Sequence, residues 1–302
     1  MLRHLGYGGT THSIDACTTR FCRPEEATPE RVRSLVRDNL VDLGRILRFN
    51  AERGIGFYRV SSRIIPFGSH PANALPWWDE FGAQLQGLGQ AAMVDGIRLE
   101  MHPGHHSLLN APSPETVALS ILELGWHVRL FESMGLDFSH KLAVRIGGTF
   151  GRKRESLDRF VTVIDGLPDS WRSRLIIEND GTQFDLADVL EASARTGLPV
   201  AYARQGASSA PDESRRVGAC FASWKSGDGP PIVHLGSRTR RGCRPDWLDA
   251  GDLETLLSLA PAEVPFDCLL EAGQGDRALF EVRERMAVLD PARLDMAQDR
   301  NR

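Results

Sequence analysis

The hydrophobic positions of this 302-residue chain follow two alternating patterns. Short, almost uninterrupted apolar runs are typical of strands that are buried on both faces. Between them lie longer segments in which apolar residues recur at helical spacing and so form one face of a helix. The segment after Thr28 is an example, because Thr28 suits a helix cap, Pro29 suits the first helical position, and the apolar spacing continues to about Gly54.

This alternation predicts repeated strand–helix units along the whole chain. The predicted strands are 4–7, 54–60, 96–102, 142–148, 175–180, 198–203, 232–236 and 268–272. The predicted helices are 29–54, 77–95, 114–135, 153–165, 185–196, 212–224, 249–259 and 277–289. Such a series predicts an α/β fold, a (β/α)8 TIM barrel, in one domain over 1–290 with a polar, disordered tail over 291–302. A doubly wound open sheet is the rival, but no glycine-rich phosphate-binding turn follows the first strand.

Composition narrows the class of protein only a little. A hydrophobic content of 41% fits a large enzyme-like domain, and a net charge of −4 provides no overall field that would attract nucleic acid. A local basic groove would still suffice for contacts with phosphates. The N-terminus has no apolar signal core, and no run has the roughly 18 apolar residues needed to span a bilayer. The five cysteines lack paired CxxC spacing, which predicts free thiols in a cytoplasmic protein.

Four of the apolar runs carry a histidine or a carboxylate near the carboxyl end. The runs are GIRLEMH (96–102), SRLIIEND (173–180), PPIVHLG (230–236) and FDCLLEA (266–272), and the residues are His102, Glu178, His234 and Glu271. In a barrel of parallel strands the carboxyl ends meet at one mouth, so these side chains are expected to converge. Neutral imidazole and carboxylate are ligands that zinc or manganese accepts, and the pattern therefore predicts a metal site.

The order of motifs resembles the ultraviolet-damage endonucleases of the UvdE/UvsE type. The similarity is carried by DNLVDLGRILRFNAERGIGFYRVSSRIIPFGSHP (38–71), LEMHPG (99–104), IGG (146–148), IIEND (176–180), IVHLGS (232–237) and LEA (270–272). It covers about residues 4–289. The resemblance implies a barrel related to endonuclease IV and a multinuclear metal site, usually of manganese. It also implies incision of DNA on the 5′ side of a photoproduct or related lesion.

The same resemblance implies roles for individual residues. His70, His102, His234 and Glu271 match family metal ligands, and Glu178 matches the carboxylate that bridges two metals. Glu178, His102 and Tyr7 are therefore the expected catalytic residues. Tyr7 matches a family tyrosine near the lesion, although a tyrosine on a strand also suits the core.

Five positions depart from the family pattern. Arginines replace two histidines, and apolar residues or glycine replace an aspartate, a histidine and a lysine. The departures are Arg145, Ala203, Gly206, Ile232 and Arg244. Arginine cannot bind a cation, but it can replace a lost metal's charge, so we expect Arg145 to pair with Glu178. The prediction is one or two divalent ions, manganese or alternatively zinc, rather than a full cluster.

Basic residues and histidines after several strands are expected to contact DNA. His105 and His106 stand where the family has a glutamine–tyrosine pair that probes the damaged base pair. Further candidates follow the fourth and seventh strands, whose loops share the barrel mouth with the metal site. They are Arg152, Lys153, Arg154, Arg238, Arg240, Arg241 and Arg244. The predicted partner is double-stranded DNA with ultraviolet photoproducts or related lesions, bound by a monomer.

Three functional classes remain open from the sequence. The first is a damage endonuclease that works with a reduced metal set. The second is a catalytically impaired paralogue that binds damaged DNA. The third is a repurposed TIM-barrel metalloenzyme that acts on a small substrate. We expect the first, because the resemblance extends over almost the whole chain.

Overall fold

A computed structural model describes residues 1–104, 106–205, 212–237 and 246–289. The strands are β1 (Leu2–Gly8), β2 (Phe57–Val60), β3 (Arg98–Met101), β4 (Lys141–Val144), β5 (Leu175–Glu178), β6 (Val200–Gln205), β7 (Ile232–Gly236) and β8 (Phe266–Leu270). The helices are α1 (Pro29–Glu52), α2 (Trp77–Glu80), α3 (Gly82–Val94), α4 (Pro114–Ser133), α5 (Lys153–Asp165), α6 (Asp169–Arg172), α7 (Leu186–Thr196), α8 (Glu213–Ala222), α9 (Ala250–Leu259) and α10 (Asp276–Leu289). A short 3-10 turn covers Pro24–Glu26.

The strands close into a barrel in chain order. Each strand pairs in parallel with the next, and β8 pairs with β1, so the fold is the predicted TIM barrel. The apolar runs are buried on both faces, because one face fills the barrel and the other packs against the surrounding helices. Within these described ranges, no helix has both the length and the apolar character needed to cross a bilayer.

The interior of the barrel has a charged layer at each end and an apolar layer between them. At the amino-terminal end of the strands, Arg98 donates to Asp267 Oδ2 at 2.9 Å across the barrel. At the other end, charged side chains lie at or just past the carboxyl ends of the strands. The middle layer consists of Phe57, Ala143, Ile176, Ala201, Ile232 and Leu269. The apolar layer supports the upper charged layer from below and limits its access to water.

Most predicted elements agree with the structure to within about three residues at each end, and two differ more. The predicted helix 77–95 is two helices, because Phe81, at φ −104° and ψ 14°, interrupts the regular helix between α2 and α3. The predicted strand 142–148 ends at Val144, and Gly147 has a φ of +115° that a strand does not allow. Arg145 therefore lies just beyond β4. The predicted tail over 291–302 lies outside the described residues, and the single-domain assignment stays a prediction.

Candidate metal centre

Glu178, His234 and Glu271 converge at the carboxyl-terminal mouth of the barrel. Glu178 is the last residue of β5, His234 lies within β7, and Glu271 follows β8 directly. All three are buried, and one ligand atom from each lies within 4.8 Å of those from the other two. The strand ends place them there because inward-facing positions of parallel strands share this mouth. They form a possible metal-binding triad.

The polar atoms at the centre of this triad suit a cation. His234 Nδ1 lies 3.3 Å from Glu178 Oε2, and His102 Nε2 lies 3.2 Å from the same oxygen. Glu178 Oε2 and His234 Nδ1 are buried and have no hydrogen-bond partner of suitable geometry among the described residues. Two imidazole nitrogens and a carboxylate oxygen facing one another are a donor set that a divalent ion satisfies. The residues present therefore fit a metal ion.

Arg145 and Glu178 form an ion pair at the site. Arg145 Nη2 donates to Glu178 Oε1 at 2.8 Å, so the contact expected from the sequence is present. Burial alone would raise the pKa of Glu178, but His234 and His102 hold that pKa well below its usual value. Burial alone would lower the pKa of Arg145, whereas Glu178 raises it overall. The pair is thus ionised, and one oxygen of Glu178 is held by a guanidinium while the other faces His234 and His102.

Arg59 and Glu100 also belong to the site, and the sequence analysis missed them. Arg59 Nε donates to Glu100 Oε2 at 3.1 Å, and Arg59 Nη1 donates to Glu271 Oε1 at 2.6 Å. Glu100 Oε1 lies 2.8 Å from His234 Nε2. The sequence contained a signal for both residues, because Arg59 and Glu100 are charged residues within strand segments, FYRV and RLEM, that are fully buried. Glu100 is two residues before His102, so the period of a strand places both on the inward face.

The electrostatics of the upper layer follow from these contacts. Burial opposes ionisation of Glu100, but Arg59 and His234 lower the pKa of this carboxyl to about 2. Burial also opposes a charge on His234, yet Glu100 and Glu178 raise the pKa of this imidazole to about 9 against the opposing charge of Arg59. In the absence of metal, the buried charges are therefore balanced by a proton on His234.

His70 and Tyr7 are not part of the triad. His70 is exposed, and its Nδ1 accepts a hydrogen bond from the Ala72 amide at 3.1 Å. Tyr7 is fully buried, and its hydroxyl is hydrogen-bonded to Thr11 and to Asn50 of α1. Tyr7 thus occupies the core environment that the sequence left as an alternative. The roles assigned to both residues stay predictions.

Ala203 and Ile232 are two of the five positions that depart from the family pattern, and the structure describes the contacts of both. Ala203 is buried on β6 directly opposite His234, and both of its backbone groups are hydrogen-bonded to the side chain of Asn179. Ile232 packs into the apolar middle layer of the barrel, two residues before His234. Neither supplies a ligand atom. Gly206 and Arg244 lie outside the described residues.

The basic residues after β4 lie on the same face as the triad, because they precede or begin α5. They are already paired with acidic side chains, so part of their charge is compensated. The pairs are Arg152 with Glu155, Lys153 with Asp188, and Arg154 with Glu191. His106 is exposed and close to Gly104. His105, Arg238, Arg240 and Arg241 lie outside the described residues, so the DNA-contact assignments stay predictions.

A cavity of about 280 Å³ opens beside the triad. Arg145 and His102 separate it from Glu178. Its wall is apolar, with Leu108 and Leu124, whereas Asp180 and Thr182 add polar groups. The cavity can therefore accept a partly apolar group with polar edges.

The protein is thus a TIM barrel with buried histidine and carboxylate groups that fit a metal ion at its carboxyl-terminal mouth. The model of the family described as "UV-endonuclease UvdE" matches residues 10–295. The chain belongs to this family, and the resemblance inferred from the sequence is confirmed.

Curated relatives carry the same family name. A UV DNA damage endonuclease of Clostridium perfringens is 33% identical over 198 residues, which are 66% of this chain and 48% of that protein. The matched region thus spans about half the length of this relative. A UV DNA damage endonuclease of Halalkalibacterium halodurans is 26% identical and covers 96% of this chain and 93% of that protein.

Solved structures agree with the fold. The crystal structure of SacUVDE has a TM-score of 0.85 and 27% identity, and the match covers 95% of this chain and 99% of that one. A D-psicose 3-epimerase structure has a TM-score of 0.51 at 13% identity, which shows the barrel fold alone.

Proposed function

We propose that this protein is a divalent-metal-dependent endonuclease that cuts double-stranded DNA on the 5′ side of ultraviolet photoproducts or related lesions. The observation that carries the proposal is the convergence of Glu178, His234 and Glu271 at the barrel mouth of a chain in this family. We further propose one or two ions per chain, of manganese or alternatively zinc. A monomeric state and a cytoplasmic location stay predictions.

Glu178, His234 and Glu271 would hold the ion, and His102 lies close enough to Glu178 to be a further ligand. A divalent ion here would supply hydroxide at neutral pH and neutralise charge that develops on the phosphate. The side chain of Arg145 is 28% exposed, so its guanidinium can donate to a phosphate oxygen while one nitrogen stays on Glu178.

The cavity beside Arg145 suits an unstacked base. Enzymes that do chemistry on a base extrude its nucleotide from the stack, and a damaged base costs less to unstack. We propose that recognition of the lesion here uses the same extrusion. The apolar wall of the cavity would contact the face of the base, and Asp180 and Thr182 lie where they can bond to its edge. This arrangement would place the adjoining phosphate near Arg145 and the triad.

Damage binding without incision is the second candidate. It is favoured by the contact of Arg145 with Glu178 Oε1, because the guanidinium uses an oxygen that a bridging carboxylate offers to a second metal. The two candidates predict the same DNA affinity and differ in cutting.

Nicking of irradiated supercoiled plasmid tests the proposal. We expect nicks with added Mn²⁺, none with EDTA, and far fewer on plasmid that was not irradiated. Glu178→Gln should lose activity, whereas Glu52→Gln, an exposed change at the end of α1, should retain it. Tight binding of irradiated plasmid with no nicks at any metal concentration would favour the second candidate.

A further inference from the structure

Arg59 and Glu100 make contacts that a metal centre requires around its ligands. His234 turns Nδ1 towards Glu178 Oε2, at 3.3 Å, and Nε2 towards Glu100 Oε1, at 2.8 Å. A carboxylate that accepts Nε2–H leaves the Nδ1 lone pair for a cation. Carboxylates that orient metal-binding histidines in this way fix the tautomer and the ring direction.

Arg59 connects this carboxylate to a second member of the triad. Its guanidinium donates to Glu100 through Nε and to Glu271 through Nη1. Its Nη2 also lies 3.0 Å from His234 Nε2, a contact that is not a hydrogen bond when Nε2 carries the proton. The planar fork has fixed directions, so it holds both carboxylates in one relative position. The three side chains are each at most 9% exposed, and therefore water does not compete for these contacts.

The neighbouring strand leaves space for this bridge. β1 lies between β2, which carries Arg59, and β8, which precedes Glu271. Gly8 of β1 is directly opposite Arg59, and a Cβ atom there would lie 3.1 Å from Arg59 Cβ and 3.3 Å from its Cδ. Because Gly8 has no side chain, the aliphatic part of the Arg59 side chain can cross β1, and its guanidinium reaches Glu271.

We propose that Glu100 and Arg59 are positioning residues of the metal centre. Glu100 directs His234 Nδ1 to the ion, and Arg59 holds the carboxylates of Glu100 and Glu271 in a fixed position relative to each other. This inference rests on the proposed metal-dependent function. Neither residue need touch the ion, and their effect is on the geometry of the residues that do.

Charge-preserving variants separate positioning from simple electrostatics. Arg59→Lys keeps the positive charge but replaces the fork with one ammonium group, which cannot hold both carboxylates along fixed directions. Glu100→Asp keeps the negative charge but withdraws the carboxylate by one methylene group from His234. The matched control is Arg98→Lys, since Arg98 forms the equally buried pair with Asp267 at the opposite end of the barrel.

The measurement is the dissociation constant for Mn²⁺ alone, from the electron paramagnetic resonance signal of free Mn²⁺, with folding checked by circular dichroism. We expect Arg59→Lys and Glu100→Asp each to weaken binding about 10- to 100-fold, and Arg98→Lys to leave affinity unchanged even if it lowers stability. If Arg59→Lys fails to fold, Glu100→Asp provides the test.

Unchanged affinity in the Glu100→Asp variant, or an equal loss in Arg98→Lys, would overturn this inference while leaving the metal-dependent function in place. A wild-type chain that binds no Mn²⁺ would instead refute the proposed function, and this inference with it.

Discussion

Replacement of Arg145 by alanine should destabilise the metal-free protein well beyond a surface change. Glu178 is fully buried, and Arg145 holds one of its oxygens at 2.8 Å. Removal of one partner from a buried ion pair costs about 3–5 kcal/mol. Here Arg145 is 28% exposed and Glu178 keeps two imidazole neighbours, so the expected loss is smaller, about 2 kcal/mol.

The assay is urea unfolding in EDTA, with Arg152→Ala as the control. Arg152 is 72% exposed, and among the described residues its one ion-pair partner is Glu155, so its loss should change the free energy of unfolding by less than about 0.5 kcal/mol. Saturating Mn²⁺ should stabilise Arg145→Ala more than the wild type, because an ion can take the place of the guanidinium beside Glu178. Equal stabilities of Arg145→Ala and Arg152→Ala in EDTA would refute the reasoning.

Four further predictions concern the metal content, DNA binding and pH-dependent stability of the protein. Elemental analysis after dialysis against metal-free buffer should find at most two ions per chain, and three would show that the assigned ligand set is wrong. A variant that combines Arg145→His, Ala203→Asp and Gly206→His should bind more metal and nick irradiated plasmid faster, because Ala203 lies opposite His234 in the β6–β7 pair. If the wild type nicks the plasmid as fast as this variant, the three positions are dispensable. DNA binding should weaken steeply as the salt concentration rises, and the double variant Arg152→Glu/Arg154→Glu should bind DNA of any sequence less tightly. If neither salt nor the double variant changes the affinity, a metalloenzyme that acts on a small substrate becomes the better interpretation. His140 directly precedes β4 and is buried, and its Nδ1 accepts a hydrogen bond from the Leu99 amide at 2.9 Å. Burial lowers the pKa of His140 to about 4, so the stability that its neutral form provides is present above about pH 6.5 and is lost as pH falls towards 4. His140→Gln should flatten this decline in urea titrations across that range.

The fold could be predicted from the amino-acid sequence, because the apolar pattern that indicates each strand and helix is a local property. Eight buried strands alternate with one-sided helices, a series that favours a closed parallel barrel over an open sheet, and the structure has this barrel. The same logic located His102, Glu178, His234 and Glu271, since the carboxyl ends of all the strands meet at one mouth. Boundaries were less certain where a single residue changes the backbone, as at Phe81 and Gly147.

Which side chains are in contact at that mouth could not be predicted, because the contacts join residues that are far apart in the chain. His70 matches a family ligand in the sequence, yet its side chain is exposed, and it is not among the three residues whose ligand atoms converge in the described part of the chain. Arg59 and Glu271 are separated by 212 positions, and their contact depends on the closure of β8 onto β1 and on the space above Gly8. Sequence patterns report which face a residue occupies, whereas the partner across a barrel depends on register, side-chain reach and the volume left by its neighbours.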